Sequence, residues 1–252
     1  MGRRTGDETR ALLLRVGMQM LLDRGVSAGV QHIRLQDVLR HAGLTTGAAY
    51  RLWADQSDYQ RDLAVAMVRL RLSRPTDYAR AAVEDLVAAG ASGDDVIRAA
   101  ADAHLRSAMI DTDHPADAVD AQQFLIALAL RTTAQTWPEL TQASRERHRE
   151  SIAAFAEFYA FLMQAYGMRM KSPLRLEDFT EAVAAMGEGF AVRAMEGIEH
   201  PRYDVDLGAE FPPGNWTLFA LGIRALVTEF MTPNDELPRS EDADDGGSSG
   251  VE

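Results

Sequence analysis

The amino-acid sequence predicts an all-α protein. Apolar residues recur three and four positions apart along most of the 252-residue chain, and the alternation typical of strands is absent over any useful length. Glycine and proline residues separate one helical stretch from the next. We therefore expect helices near residues 8–24, 35–42, 45–53, 57–73, 78–89, 94–110, 116–137, 139–170, 176–198 and 215–231, with Pro75 closing the fourth.

Composition narrows the class of protein. Hydrophobic residues make up 46% and charged residues 25%, which is ordinary for a globular chain. Because the sequence contains no cysteine, disulfide scaffolds, thiolate nucleophiles and cysteine-based zinc sites are excluded. No apolar run reaches the roughly 18 residues that a membrane span requires. These features predict a cytoplasmic protein without a membrane partner.

Charge is distributed unevenly along the chain. The formal net charge is −12, yet residues 1–74 hold 12 arginines against 7 acidic residues, a net charge of +5. The remaining residues carry 14 basic and 31 acidic side chains, a net charge of −17. Only the first quarter would therefore attract a polyanion, although chance combined with an acidic tail would produce the same division. Residues 233–252 form that tail, and their low apolar content predicts disorder.

Residues 35–53 show a specific spacing. Apolar residues follow Leu35 at offsets of 3, 7, 9, 14 and 17, and Gly43 lies at offset 8. These offsets let one apolar face of each of two short helices meet across a tight turn, where Gly43 can adopt a positive φ. The spacing predicts a helix-turn-helix with Thr45 as the N-cap of its second helix.

The outward face of that second helix suits a DNA groove. Its first residues are small, which lets the backbone approach a groove closely. Tyr50 and Arg51 follow, and their side chains can reach phosphates or base edges. This pattern predicts double-stranded DNA as a partner of the first quarter of the chain.

Residues 44–53, Leu-Thr-Thr-Gly-Ala-Ala-Tyr-Arg-Leu-Trp, resemble the recognition-helix segment of TetR-type bacterial transcriptional regulators. In that family a small polar pair, a glycine, a tyrosine and a downstream aromatic residue follow the turn glycine. The resemblance extends over about residues 8–70, and the rest of the chain matches only as an all-helical body. It implies an N-terminal three-helix helix-turn-helix domain and a larger C-terminal helical bundle that binds a ligand and dimerises.

The resemblance also implies residue roles. Gln36 would lie at the groove edge, Ala48 would offer a methyl contact to thymine, and Gly47 would permit close approach. Tyr50 would hydrogen-bond a phosphate, and Arg51 would read guanine or bind phosphate. The implied DNA-binding residues are Gln36, Thr45, Thr46, Gly47, Ala48, Tyr50 and Arg51, with Arg3 and Arg4 either reaching neighbouring phosphates or remaining solvated terminal charges.

The segment departs from the family pattern at several positions. The loop after Gly25 is about four residues longer than is usual, and Arg34 stands where a threonine usually opens the second helix. Leu39 replaces a small residue at the helix crossing, and Gln56 occupies the place of a lysine that commonly meets the DNA backbone. We expect these departures to affect the strength and register of DNA binding more than the fold.

Two apolar stripes in the C-terminal half suggest a homodimer. One lies on the 176–198 helix and the other on the 215–231 helix, and in TetR-type regulators the last two helices of each subunit form a four-helix interface. Ordinary core packing within one subunit would produce the same stripes. The expected interface residues are Phe179, Val183, Met186, Phe190, Trp216, Phe219, Ile223, Leu226 and Phe230.

Aromatic and methionine side chains near residues 109–166 suggest a ligand cavity. Such side chains between helices suit an apolar or aromatic small molecule, although a stripe of this kind is also common in a plain core. The expected lining residues are Met109, Phe124, Trp137, Phe155 and Tyr159.

These observations lead to one functional hypothesis. Catalysis is unsupported, because no phosphate loop, nucleophile elbow, dinucleotide fingerprint or paired-histidine metal motif occurs, and we expect neither enzyme activity, cofactor nor metal. We expect residues 1–74 to bind operator DNA and residues 75–232 to sense a small-molecule effector and form a homodimer. The effector would release a repressor from its operator. The alternative is a helical small-molecule-binding protein or adaptor whose helix-turn-helix has lost DNA binding.

Overall fold

The computed structural model describes residues 4–24, 29–70, 74–108, 115–132, 137–205 and 214–234. Within these ranges the chain forms an all-α architecture with four three-residue strands. The helices are α1 (Gly6–Arg24), α2 (Leu35–Ala42), α3 (Thr46–Ala49), α4 (Gln56–Arg69), α5 (Arg74–Ala88), α6 (Gly93–Ala108), α7 (Pro115–Thr132), α8 (Pro138–Ala165), α9 (Leu176–Met195) and α10 (Leu218–Phe230). The strands are β1 (Met168–Met170), β2 (Tyr203–Val205), β3 (Gly214–Trp216) and β4 (Met231–Pro233), and a 3-10 turn covers Val30–His32.

The helix-turn-helix forms as the spacing predicts. Helix α2 ends at Ala42, and Gly43 follows as its C-cap residue with a left-handed φ of 64°. The Gly43 amide donates to the carbonyls of Leu39 and Arg40. The chain then turns directly into α3, which is shorter than the predicted helix over 45–53. After Ala49 the backbone continues as turns, and the Leu52 and Trp53 amides both donate to the Ala49 carbonyl. Trp53 is buried in the core.

Helices α1 and α4 pack against this motif. Asp55 caps α4 by accepting a hydrogen bond from the Asp58 amide at 2.8 Å. The indole Nε1 of Trp53 donates to Oδ2 of Asp62 at 2.8 Å, and Arg10 on α1 donates to the same carboxylate at 2.6 and 2.8 Å. One carboxylate therefore joins α1, α4 and the segment that follows α3.

The core of the helix-turn-helix region extends beyond residue 74. Ile126 and Leu130 of α7, and Leu140 and Ala143 of α8, are buried in the same apolar cluster as Leu13, Val38 and the other core residues of α1–α4. The N-terminal region thus completes its core with two helices from the second half of the chain.

Helices α5 to α10 form a second packed body. Ser92 opens α6 by accepting a hydrogen bond from the Asp95 amide at 3.1 Å, and Thr217 opens α10 by accepting one from the Ala220 amide at 3.1 Å. Three apolar clusters fill this body. Their most buried residues are Val83, Val96 and Phe158 in the first, Ala101, Trp216, Phe219 and Ala220 in the second, and Phe179, Val183 and Met231 in the third.

The short strands are not predicted by the sequence pattern. The helix expected over 139–170 ends at Ala165, and Gly167 at a φ of 60° reverses the chain into β1. Strand β1 pairs antiparallel with β4, with Met168 opposite Pro233, and β2 pairs antiparallel with β3. Three residues are too few for a visible alternation, which explains why periodicity does not reveal them.

Other boundaries also differ from expectation. Helix α4 ends at Arg69, and Pro75 lies in the first turn of α5 rather than closing α4. Proline is compatible with a first turn because the amide there has no partner within the helix. Residues 235–252 of the expected tail lie outside the described residues. No helix among those described is long and apolar enough to cross a membrane.

Candidate nucleic-acid interface and ligand cavity

The predicted DNA-contact residues lie together on one exposed segment. Gln36, Thr45, Thr46, Gly47, Tyr50 and Arg51 are all exposed, and Ala48 is half-buried. Tyr50 is 64% exposed, which is unusual for a large aromatic residue, while Ala49 beside it is fully buried. The segment therefore anchors itself through Ala49 and turns its polar side chains and Tyr50 to solvent.

Local contacts leave these side chains largely available. Thr45 is the N-cap residue of α3, as predicted, but its hydroxyl makes no capping hydrogen bond. Nε of Arg51 donates to the Gly47 carbonyl at 3.1 Å, one turn back along the same segment. Arg4 is exposed, and Arg3 lies outside the described residues.

A small cleft of about 300 Å³ opens between this segment and the start of α2. Gln36, Thr46 and Tyr50 line it on the predicted contact face. Arg34 and Gln56, two positions that depart from the family pattern, also line it. The cleft therefore brings predicted contact residues and divergent residues to one place.

Gln56 has a structural function that the sequence does not reveal. Its Oε1 accepts a hydrogen bond from the Leu35 amide at 2.8 Å, and its Nε2 donates to the Ile33 carbonyl at 2.8 Å. Gln60, one turn further along α4, donates to the Gln31 carbonyl at 2.9 Å. Two glutamines of α4 thus hold the segment that leads into α2.

The C-terminal body contains a cavity of about 1130 Å³. Phe124 of α7 and Phe155 and Tyr159 of α8 line it, as the sequence predicts. The cavity also has lining residues that sequence reasoning missed, because apolar periodicity does not distinguish a cavity wall from a filled core. They include His104, Phe179 and Phe219.

Trp137, a predicted lining residue, is not among the residues that line the cavity. Trp137 packs instead against the core of the helix-turn-helix region, because α8 begins beside α4. Met109 lies outside the described residues.

Burial keeps two titratable side chains of the cavity wall, His104 and Tyr159, uncharged. Burial lowers the pKa of His104, and hydrogen bonding to the Gly187 backbone and the nearby Glu188 charge oppose this only in part. Burial raises the pKa of the Tyr159 phenol. At physiological pH both side chains are therefore uncharged.

The predicted dimer-interface residues pack against other residues of the same subunit. Phe179, Val183, Trp216 and Phe219 are almost completely buried. Phe179 makes edge-on ring contacts with Tyr159 at 5.2 Å and Phe230 at 5.9 Å between centroids. The remaining members also pack in intramolecular clusters: Met186, Phe190, Ile223, Leu226 and Phe230. The stripes on α9 and α10 thus contribute to the core of one subunit, and the interface at these residues stays a prediction.

Helix α7 contributes to both bodies. Ile126 and Leu130 lie in the core of the helix-turn-helix region. Phe124, Ala127 and Leu128, on other faces of the same helix, line the cavity. In addition, Nε2 of Gln122 donates to the Leu22 carbonyl of α1 at 2.6 Å. The cavity wall and the α1–α4 core therefore share one helix.

Within the described ranges, no group of three or more histidine, cysteine or acidic side chains is placed to hold a metal ion. No protein-family model matches the sequence, and no curated protein matches it. Among solved structures the chain is similar to a TetR family protein from Vibrio parahaemolyticus, with 14% sequence identity and a TM-score of 0.40 over 89% of this chain and 99% of that chain.

Proposed function

We propose that the chain is a ligand-responsive, DNA-binding transcriptional regulator of the TetR family. It acts as a homodimeric repressor that leaves its operator when an apolar or aromatic molecule binds. In this proposal residues 1–74 contact DNA, and residues 75–232 sense the molecule and dimerise. The observation that carries the proposal is the exposed segment 45–51, which follows a left-handed glycine turn and rests on buried Ala49.

Electrostatics favour DNA as the partner of this segment. The first 74 residues carry a net charge of +5, whereas the rest of the chain carries −17. DNA phosphates would attract the first part and repel the second, which orients the protein on the duplex. Arg51 and Tyr50 would then reach the groove or its phosphates.

The shared helix α7 offers a physical route for ligand response. A molecule in the cavity would contact Phe124, Ala127 and Leu128, and a displacement of α7 would carry Ile126 and Leu130 with it. Since those two residues complete the core beneath α1 and α4, the ligand would favour a different placement of the recognition helices. DNA affinity would fall by the same factor by which DNA weakens ligand binding.

The short length of the recognition helix α3 favours a dimer. Helix α3 spans only four residues, so one copy would contact few base pairs. Two copies related by a dyad would read a palindrome with half-sites in successive major grooves. Because the apolar stripes of α9 and α10 are used within the subunit, the interface would use the outward faces of these helices, where Ala185, Leu218 and Ala225 are exposed.

The test is a salt-dependent fluorescence-anisotropy titration on duplexes tiled across the DNA upstream of the gene, beside a scrambled duplex. We expect at least one duplex to bind selectively and Arg51→Ala to weaken that binding at least about tenfold. Arg106→Ala is the control, because Arg106 is also an exposed arginine but lies on α6, outside the helix-turn-helix and the proposed dimer faces. It should bind like the unmodified protein.

Equal binding to all duplexes, abolished at moderate salt and unaffected by Arg51→Ala, would contradict the proposal. The chain would then be better described as a helical ligand-binding protein or adaptor without operator recognition.

A further inference from the structure

Charged residues around the cavity form ion pairs with one another. Nη1 of Arg131 on α7 lies 2.7 Å from Oε1 of Glu188 on α9. Nε of Arg224 on α10 lies 3.0 Å from Oδ1 of Asp94 on α6. Each of these pairs joins two different helices of the cavity wall.

The remaining ionisable residues do not supply a free buried charge either. His148 and Glu181 hydrogen-bond at 2.9 Å, and both side chains are substantially exposed. Arg80 and Glu157 are exposed. Over the whole lining there are four arginines and five acidic residues, so their formal charges nearly cancel. An ion in this cavity would lose its hydration without gaining a buried counter-charge.

Aromatic rings form the interior between these pairs. Tyr159 contacts the rings of Phe155, Phe158 and Phe179, with centroids 6.1, 5.5 and 5.2 Å away. Phe219 contributes another ring from the opposite side, next to His104 at 5.3 Å. A bound apolar molecule would bury this aromatic surface, which favours binding. The cavity volume of about 1130 Å³ exceeds the roughly 300–1,000 Å³ of ordinary small-molecule sites.

One polar group in this interior stands out. The half-buried side chain of Tyr159 lines the cavity, and its hydroxyl forms none of the hydrogen bonds found among the described residues. The other tyrosine of the wall differs, because the Tyr166 hydroxyl donates to the Ala91 carbonyl at 2.9 Å. A hydroxyl that lines a cavity can donate a hydrogen bond to an acceptor on an occupant.

We infer that the cavity binds a large uncharged molecule, mostly aromatic or aliphatic, with a carbonyl or hydroxyl oxygen that accepts a hydrogen bond from Tyr159. This inference rests on the proposed ligand-responsive function and names the chemical class of its effector. It excludes organic acids and lipophilic cations, because within the described residues the charges that join the helices of the wall are paired, and Arg80 and Glu157 are exposed to solvent.

Two matched pairs of fluorescent probes test the charge requirement on the full chain, without DNA. N-phenyl-1-naphthylamine and 8-anilinonaphthalene-1-sulfonate differ by one sulfonate, while diphenylhexatriene and its trimethylammonium derivative differ by one positive charge. We expect the neutral member of each pair to bind at least about tenfold more tightly. Equal or tighter binding of either charged member would overturn the inference.

Ala127→Trp locates the site. The bulky side chain would fill part of the wall formed by α7, so it should weaken the neutral probes while the circular-dichroism spectrum stays unchanged. Unchanged probe binding in a folded Ala127→Trp variant would mean that the probes bind elsewhere, and would overturn the inference.

Tyr159→Phe tests the hydrogen bond, with Tyr166→Phe as the matched control in the same wall. The probe is 6-propionyl-2-dimethylaminonaphthalene, whose emission moves to shorter wavelength when its carbonyl loses a hydrogen-bond donor. We expect Tyr159→Phe to weaken binding about fivefold and to shift the emission to the blue, and Tyr166→Phe to change neither. Identical emission in the two variants would overturn the role of Tyr159.

These measurements separate the inference from the proposed function. A protein that binds the neutral probes but no operator fails as a regulator, whereas one that binds operator but prefers the charged probes fails only in its effector class.

Discussion

Gly17 of α1 lies directly against the hydroxyl of Tyr59 on α4. A β-carbon at position 17 would overlap with that hydroxyl oxygen and would come within 3.2 Å of Cδ1 of Leu63. Tyr59 is completely buried, and its hydroxyl donates to the Leu13 carbonyl at 3.3 Å. Burial raises the pKa of this phenol, which keeps it a donor. The absence of a side chain at Gly17 therefore sets the distance between the two helices that support the helix-turn-helix.

Gly17→Ala should destabilise the protein by about 2 kcal/mol, because neither the buried ring nor the α4 backbone can move without disturbing the core. Urea unfolding followed by circular dichroism measures this. Gly47→Ala is the control, since nothing lies within 4 Å of a β-carbon there. It should leave stability unchanged or raise it by up to about 1 kcal/mol. Equal stability of the two variants would contradict the close approach.

Asp62→Ala should cost about 2 kcal/mol, because it removes the acceptor of the Trp53 indole and of the Arg10 guanidinium together. Arg10→Ala should cost less than about 1 kcal/mol, since its side chain is 51% exposed. The unfolding midpoint in urea gives both values. If Arg10→Ala cost as much as Asp62→Ala, the bond to the buried indole would be unimportant.

Gln56→Ala should lower stability by about 1–2 kcal/mol by leaving the Leu35 amide and the Ile33 carbonyl without the partners they now have. It should also weaken operator binding, if the proposed function holds, because the start of α2 is no longer fixed. Ser57→Ala, at the exposed neighbouring position, is the control for both the unfolding and the anisotropy measurements. A Gln56→Ala variant as stable as Ser57→Ala would refute this positioning role.

Phe179→Ala should destabilise each subunit by about 3–5 kcal/mol, as expected for an aromatic residue buried in a core. The loss should be the same at low and high protein concentration, because the side chain packs within its own chain. Thermal unfolding at two concentrations a hundredfold apart distinguishes this from an interface residue. A loss confined to low concentration would indicate an intersubunit contact.

The burial of His104 predicts that the free energy of unfolding depends on pH. Its pKa is lowered from the ordinary value of 6.5 by burial, so below pH 6.5 the unfolded chain binds a proton that the folded chain does not. The contribution of His104 to stability is therefore lost as the pH falls from 6.5 to the folded pKa. The difference in unfolding free energy between the unmodified protein and His104→Gln should shrink from pH 7 to pH 5. A difference that does not change between pH 7 and pH 5 would contradict this prediction.

The fold class and the helix-turn-helix could be read from local patterns. Helix α2 has the predicted bounds because strong local signals, the spacing after Leu35 and the turn at Gly43, agree with its packing. Helix α3 is shorter than predicted because Trp53 turns inward to Asp62, a contact with a residue on another helix. Periodicity identifies an apolar face but not the element that covers it.

The same limit applies to the C-terminal half. The stripes containing Phe179 and Trp216 are genuine, yet other residues of the same subunit cover them. The sequence predicts Trp137 in the cavity because it lies on a helix next to the aromatic stripe, whereas the start of α8 lies against the N-terminal core. The role of Gln56 depends on a loop 21–23 positions earlier in the chain, and no local pattern indicates it.

The core that joins α1–α4 to α7 and α8 has a consequence for synthesis on the ribosome. Its residues run from Leu13 to Ala143, so this core cannot close until Ala143 has been translated. The second body must wait longer, because β1 pairs with β4 and the Asn234 amide donates to the Gly167 carbonyl at 2.8 Å. Nascent α1–α4 therefore exposes apolar surface until α7 and α8 emerge. Nascent chains that end between α4 and α8 are thus the ones that most need a chaperone.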